Sequence, residues 1–138
     1  MATAETVYLG DLRTEITHIQ SQTKIITDAP TDNQGKGEAF SPTDLLAVSL
    51  TSCMLTIMGI AARAHGIAFG KVEANTTKIM QANPRKVAEI HVAFHFPKGA
   101  IYSEHERILL QKAAVSCPVY LSLHPDIKKD IVFNWADE

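Results

Sequence analysis

Residues 45–62 read LLAVSLTSCMLTIMGIAA, an uncharged run with one thiol, Cys53, near its middle. A run of about 18 apolar residues raises the question of a membrane span. Four hydroxyl side chains and a glycine interrupt it, however, and Asp44 and Arg63 bound it. A helix that is apolar on nearly all sides lies inside a protein when it does not lie in lipid. The stretch therefore predicts a buried central helix.

Signals at both ends set this helix at residues 42–65. Ser41 is a good N-cap, Pro42 suits the first helical position, and Asp44 can reach back to the cap. At the other end, basic side chains precede Gly66, which favours termination. About 24 residues give a rod of about 36 Å. Because a chain of 138 residues would struggle to cover every face of such a rod, we expect an interwoven homodimer.

The rest of the chain mixes strands and helices without regular alternation. Strand-type composition and helical capping signals predict strands at 7–18, 23–28, 68–80, 87–96 and 127–135, and helices at 103–115 and 119–123. The first two strands would form an antiparallel hairpin, and a polar loop, 29–40, follows them. Such a mixture belongs to the α+β class, and the length suits one domain over 1–138.

Composition excludes several classes of protein. The formal net charge is −2 and no dense run of Lys and Arg appears, which argues against nucleic acid or an anionic membrane surface as a partner. The N-terminus shows no secretory signal pattern, so we expect a cytoplasmic location. In that reducing compartment, two cysteines are more often free or redox-active thiols than a structural disulfide.

The two thiols have different local settings. A cysteine in the middle of an apolar helix, such as Cys53, is most often a small hydrophobic core residue. Cys117 precedes Pro118 at the apparent start of a helical turn, so it lies at or near an N-cap. Unsatisfied N–H groups and the helix dipole at that position favour a thiolate.

Taken together, the two cysteine contexts resemble the OsmC/Ohr superfamily of thiol proteins that handle peroxides. The resemblance is carried by FSPTDLLAVSLTSC and by a helix that ends in a lone CP, 64 positions after Cys53. The segment DAPTDNQGKGEAFSPTDLL is similar to the OsmC-like branch in particular. The resemblance implies antiparallel sheets around a long central helix, an intertwined homodimer, and two sites at the subunit interface.

The resemblance also implies a chemistry. Cys53 would attack an organic hydroperoxide and become a sulfenic acid, and Cys117 would resolve it to a disulfide that an external dithiol reduces. No metal or organic cofactor is expected. Apolar walls would favour alkyl or lipid hydroperoxides over hydrogen peroxide, and a thiol among them needs a nearby cation to ionise.

The carboxylate that accompanies this chemistry is where the sequence departs from the family. Better-understood members carry a Glu ten positions before the peroxidatic cysteine, in an N-P-E context, and that position is Thr43 here. Asp44 is its neighbour, but nine residues of helix rotate by about 900°, which puts Asp44 opposite Cys53. Asp44 is therefore first a capping residue, and Glu38 is the other candidate.

The activating cation is matched only loosely. The family uses an Arg from the N-terminal hairpin, and Arg13 is the only arginine in that region, although it falls earlier than the family position. An exposed strand arginine is an equally good interpretation of Arg13. Lys36, in the same loop as Glu38, is a less specific substitute.

Two rival functions stay open. In the first, a binding module holds an apolar small molecule at the dimer interface and the cysteines only pack or sense; in the second, the protein has a purely structural role under stress.

His91 and His95 share one face of a strand, but they lie about 13 Å apart, too far for one metal ion. They predict a solvated face.

Overall fold

The computed structural model describes residues 1–136. The chain divides into two compact units, one over residues 1–46 and one from Ala47 onward. The first unit holds the antiparallel strands β1 (Ala4–Gly10), β2 (Arg13–His18) and β3 (Lys24–Asp28), in the order β1-β2-β3, followed by a 3-10 turn, Thr31–Asn33. The long helix α1 (Pro42–Ala64) begins in this unit.

The prediction of one strand over 7–18 is wrong, because the chain turns in its middle. Asp11 and Leu12 both have positive φ, 54° and 64°, the backbone of a two-residue hairpin turn that matches strand twist. The N–H of Leu12 donates to the hydroxyl of Tyr8 at 3.2 Å. Leucine has no preference for this conformation, so the local pattern concealed the turn. The second hairpin, between β2 and β3, lies where the sequence predicted it.

The start of α1 matches its prediction. The N–H of Asp44 donates to Ser41 Oγ at 3.0 Å, and the N–H of Ser41 donates to Asp44 Oδ2, also at 3.0 Å, which is the reciprocal pattern of a capping box. By length and apolar composition alone α1 could cross a bilayer, a test that core helices also pass; a third of its most apolar window is buried. Its buried side chains recur at helical spacing: Ala47, Leu50, Thr51, Met54, Met58 and Ala62.

The second unit combines a three-stranded sheet with two further helices. These elements are β4 (Glu73–Gln81), β5 (Lys86–His95), α2 (Glu104–Val115), α3 (Pro118–Ser122) and β6 (Lys128–Asn134). β4 and β5 pair antiparallel, whereas β5 and β6 pair parallel, so this sheet is mixed rather than wholly antiparallel. The strand predicted at 68–80 begins only at Glu73.

The core of this unit lies between the sheet and the helices. Along β5 the side chains of Ile90, Val92 and Phe94 are buried, as the predicted alternation requires. They form one hydrophobic cluster with the buried face of α1 and with Leu110 and Ala114 of α2. The predicted capping box of α2 is present, with Ser103 as its N-cap. This packing fixes the middle of α1, where Cys53 lies, and the end of α2, two residues before Cys117.

Candidate functional site

Cys117 is the N-cap residue of α3. Its Sγ accepts a hydrogen bond from the backbone N–H of Tyr120 at 3.3 Å. Pro118 occupies the first helical position, where its missing N–H costs nothing. The side chain is fully buried, with 0% exposure. The predicted cap position is therefore confirmed, in a site that solvent does not reach.

The structure brings the two thiols together. Both cysteines are free, and Cys53 is half-buried on α1, packed against the same core cluster. Burial raises the pKa of Cys117 above that of an ordinary thiol, and Cys53 lies near enough to raise it further. A half-buried thiol thus lies near a fully buried one.

The expectation that the cap would favour a Cys117 thiolate is wrong for the reduced protein. The hydrogen bond from the N–H of Tyr120 does lower the pKa of Cys117, but burial raises it by more. An apolar environment penalises the charged form of a thiol. Cys117 is therefore held as a neutral thiol that can supply a proton.

Arg13 and Glu38 are brought together in the first unit, with Asp28 between them. Arg13 Nε donates to Asp28 Oδ1 at 2.7 Å and Nη2 donates to Asp28 Oδ2 at 2.8 Å. Nη2 also donates to Glu38 Oε1 at 2.8 Å. Asp28 is 1% exposed and Glu38 is 66% exposed. Arg13 is thus held at two points by a buried carboxylate and is not a free strand arginine.

Sequence reasoning missed Asp28. The backbone N–H of Glu38 also donates to it, at 3.1 Å. These contacts, together with the charge of Lys36, hold the pKa of Asp28 below its usual range. A signal was available, since the predicted hairpin around residues 18–23 sets Arg13 directly opposite Asp28 in the observed register.

Asp44 is engaged in the cap of α1, as predicted. Thr43, at the position of the family glutamate, has its hydroxyl 3.3 Å from that of Ser41. Neither residue belongs to the Arg13, Asp28 and Glu38 cluster. The cluster's two carboxylates come instead from β3 and the polar loop that follows it.

The two histidines of β5 hydrogen-bond neighbouring polar side chains. His91 Nε2 lies 2.8 Å from Glu89 Oε1, and His95 bonds Asn75 at 2.8 Å and Asn134 at 3.3 Å. Within residues 1–136, no three His, Cys, Asp or Glu side chains are arranged to hold a metal ion.

A cavity of about 530 Å³ lies beside the C-terminal half of α1. Its lining includes one basic side chain, Arg63, among apolar and small neighbours from α1 and the segment after it: Thr56, Gly59, Ile60, Ile67 and Phe69. Thr56 follows Cys53 by less than one helical turn. The cavity therefore starts close to the half-exposed thiol along the helix.

A family model and a solved structure are both similar to most of this chain. The family described as OsmC-like protein matches residues 35–132. A protein from Psychrobacter arcticus 273-4, described as a candidate osmotic stress induced and detoxification response protein, is 50% identical; its crystal structure has a TM-score of 0.92, over 97% of this chain and 96% of that one. No protein of curated description matches the chain.

More distant structures share the fold. An organic hydroperoxide resistance protein OsmC from Legionella pneumophila is 18% identical with a TM-score of 0.72, over 98% of each chain. An organic hydroperoxide resistance protein from Elizabethkingia anophelis is 15% identical with a TM-score of 0.67, over 97% of this chain and 96% of that one. At such identities the similarity concerns the fold alone.

Proposed function

Because the chain belongs to the OsmC-like protein family, we propose that it is a thiol-dependent peroxidase that reduces organic hydroperoxides. The proximity of Cys53 to Cys117, which share one core cluster, carries the proposal. A peroxidatic thiol must meet its substrate, and Cys53 is half-buried; a resolving thiol needs to meet only the first one, and Cys117 is fully buried. The asymmetry supports Cys53 as the peroxidatic residue and Cys117 as the resolving one.

The first step is a displacement at oxygen. The Cys53 thiolate attacks the outer oxygen of the hydroperoxide, an S–O bond forms, and the O–O bond breaks. The leaving alkoxide takes up a proton and departs as the alcohol. Sulfur is oxidised by two electrons to the sulfenic acid and the peroxide is reduced by two.

The second step closes a disulfide. Cys117 sulfur attacks Cys53 sulfur, and the sulfenic oxygen leaves as water, taking up the Cys117 proton. An external dithiol then reduces the disulfide by exchange and is itself oxidised. Because burial keeps Cys117 protonated, the reduced protein exposes only one thiol to oxidants. This arrangement limits wasteful oxidation of the resolving residue.

Arg13 is our candidate for the cation that favours the Cys53 thiolate, by its resemblance to the family's hairpin arginine. Its Nε and Nη2 are engaged by Asp28 and Glu38, while Nη1 makes no hydrogen bond among the residues that the structure describes. In this account Asp28 and Glu38 orient the guanidinium. The two carboxylates thereby take the role of the family glutamate, whose position is Thr43 here. Asp44 then serves as a cap of α1.

A homodimer is part of the proposal, because apolar surface is left uncovered in both units. The three-stranded sheet β1–β3 would be marginal alone, since few of its side chains are buried. On α1, Ile60 is 60% exposed and Leu46 is 39% exposed. Patches of this kind mark interaction surfaces. The exposed apolar residues of the first sheet are Val7, Tyr8, Leu9, Leu12, Ile25 and Ile26.

Location and reductant follow from the same thiols. Two free cysteines suit a reducing cytoplasm, where a dithiol protein or cofactor can recycle the disulfide. We therefore place the protein there, with an organic hydroperoxide and an external dithiol as its partners.

Turnover of cumene hydroperoxide with dithiothreitol as the reductant tests this proposal. The parent should turn over, and Cys53→Ser should be inactive. Cys117→Ser should react once and accumulate a sulfenic acid that dimedone traps. Absence of turnover in the parent, or dimedone labelling of Cys117 in place of Cys53, would overturn the assignment.

A second candidate is a non-catalytic binding module, favoured by the charge of the arginine cluster. Two carboxylates already offset the guanidinium of Arg13, and Thr43 cannot replace a glutamate. A pocket at the dimer interface would then hold an apolar molecule without chemistry. Saturable binding of a fatty acid with no consumption of hydroperoxide would favour this module, and neither binding nor turnover would favour a structural role.

A further inference from the structure

A pair of hydroxyl groups joins α1 to β4 in the core of the second unit. The Oγ1 atoms of Thr51 and Thr76 hydrogen-bond each other at 2.5 Å. We propose that this pair fixes the rotation of α1 about its axis and thereby aligns Cys53 with Cys117. The inference rests on the proposed function, because the alignment of the two thiols governs closure of their disulfide. Thr51 is then a positioning residue that acts through Cys53.

Thr51 is the polar member of an apolar helix face. It is 7% exposed, and the other buried residues of α1 are Ala47, Leu50, Met54, Met58 and Ala62. A lone hydroxyl in such a face would lose its hydrogen bonds to water on folding. Thr76 supplies the replacement from the more buried face of β4. This contact is directional, whereas the hydrophobic contacts around it are not.

Thr51 and Cys53 lie on opposite flanks of the buried face of α1. Successive residues of a helix are about 100° apart, so the two side chains are separated by about 160° around the axis. Leu50, Met54 and Met58 fall within this arc. A hydrogen bond therefore holds one flank of the helix while the thiol lies on the other.

A small rotation of α1 is enough to separate the thiols. Side chains extend to about 5–6 Å from a helix axis, so a rotation of about 20° displaces the Cys53 sulfur by about 2 Å. A disulfide requires two sulfur atoms about 2.05 Å apart in a specific geometry. Misplacement of a reacting group by about 1 Å can lower a rate about 100-fold. A contact that selects one rotation of α1 therefore has a large effect on closure.

A hydroxyl in a helix does not need a partner on another element. The hydroxyl of Thr56 donates to the carbonyl of Ser52, one turn earlier in the same helix, at 2.9 Å. Such a bond satisfies the hydroxyl without tying the helix to anything else. Thr51 bonds a residue of the sheet instead, so its hydrogen bond constrains how α1 lies on β4.

Four variants separate positioning from stability. Thr51→Val and Thr76→Val each leave one hydroxyl without its partner, so each should lower the urea midpoint. The double variant, Thr51→Val with Thr76→Val, removes both hydroxyls at nearly constant shape, and its midpoint should return to that of the parent. Thr51→Ser keeps the hydrogen bond. Thr77→Val, on the exposed face of β4, is the matched control.

Alignment is measured without hydroperoxide, from the equilibrium of the reduced protein with glutathione disulfide. The protein forms the bond between Cys53 and Cys117, and the two electrons and two protons that it loses convert one glutathione disulfide into two thiols. The equilibrium constant should be lower by about 10-fold or more in the double variant. Thr51→Ser and Thr77→Val should keep the parental value. A parental value in the double variant would overturn the inference.

Reaction with hydroperoxide separates this inference from the proposed function. With one equivalent of cumene hydroperoxide, the double variant should form the Cys53 sulfenic acid at the parental rate and close the disulfide about 10-fold more slowly or less. A parent that does not react, but whose glutathione equilibrium depends on the hydroxyl pair, would overturn the peroxidase and leave the positioning role standing. A parent that reacts, with equal closure rates in parent and double variant, would overturn the positioning role alone.

Discussion

Arg13 and Asp28 face each other across β2 and β3 and join through two hydrogen bonds, Nε to Oδ1 at 2.7 Å and Nη2 to Oδ2 at 2.8 Å. The carboxylate is buried and the guanidinium is partly exposed. Removing one partner of such a pair leaves the other charge uncompensated. The pair therefore fixes the end of the hairpin and the direction of Arg13.

Asp28→Asn should lower the thermal midpoint by several degrees, because the guanidinium loses its buried counter-charge. Glu38→Gln should have a smaller effect, since Glu38 is 66% exposed and solvent screens its interaction. Differential scanning calorimetry of both variants makes the comparison. Equal shifts in the two would mean that Asp28 does not hold Arg13.

The ion pair between Arg13 and Asp28 also predicts that the stability of the protein depends on pH. Contacts with Arg13 and Glu38 lower the pKa of Asp28 in the folded state, so the unfolded chain binds its proton first as pH falls. The stabilisation is complete above the ordinary carboxyl pKa of about 3.9 and is lost as pH falls through the lowered folded value. Urea midpoints between about pH 2.5 and pH 6 should therefore fall less steeply with acid in Asp28→Asn than in the parent. Identical slopes would contradict the prediction.

Gly35 is required by the loop that carries Glu38. A methyl group there would lie 1.7 Å from the carbonyl oxygen of Ala29, so the backbone must move. Gly35→Ala should destabilise the protein by about 1–3 kcal/mol in chemical denaturation, a typical cost of overpacking. Gly59→Ala is the matched control, and it should stabilise α1 by about 0.5–1 kcal/mol. A stable Gly35→Ala variant would show that the loop adjusts freely.

Cys117 has a structural role as well as its proposed chemical one. Serine can keep the hydrogen bond from the N–H of Tyr120, whereas alanine cannot. Cys117→Ser should therefore be more stable than Cys117→Ala by about 1 kcal/mol, the usual worth of an N-cap. Urea unfolding of the reduced proteins measures the difference. If alanine were the more stable, burial of a hydroxyl would outweigh the cap.

Much of the fold could be predicted because its signals are local. Ser41 and Ser103 cap their helices by short-range hydrogen bonds, and the alternation along β5 is set by one buried face. The turn at Asp11 and Leu12 was missed because the neighbouring apolar residues read as one strand. The parallel pairing of β5 with β6 depends on the path through α2 and α3, which no local pattern reveals.

The candidate site could be predicted only in part, because contacts between residues far apart in the chain leave no local signal. Cys53 and Cys117 were paired through the family resemblance, because the sequence alone gives no contact between residues so far apart. Asp28 was missed because its role appears only in the strand register. The neutral state of Cys117 was missed because desolvation depends on the surrounding core, and the cap alone suggested the opposite.

The most direct test of the account is the intact mass and free-thiol count of the reduced protein after one equivalent of cumene hydroperoxide. The account predicts rapid loss of both thiols, a mass lower by two hydrogens, and a peptide that links Cys53 to Cys117. Two unchanged thiols, or addition of oxygen with no cross-link, would contradict it.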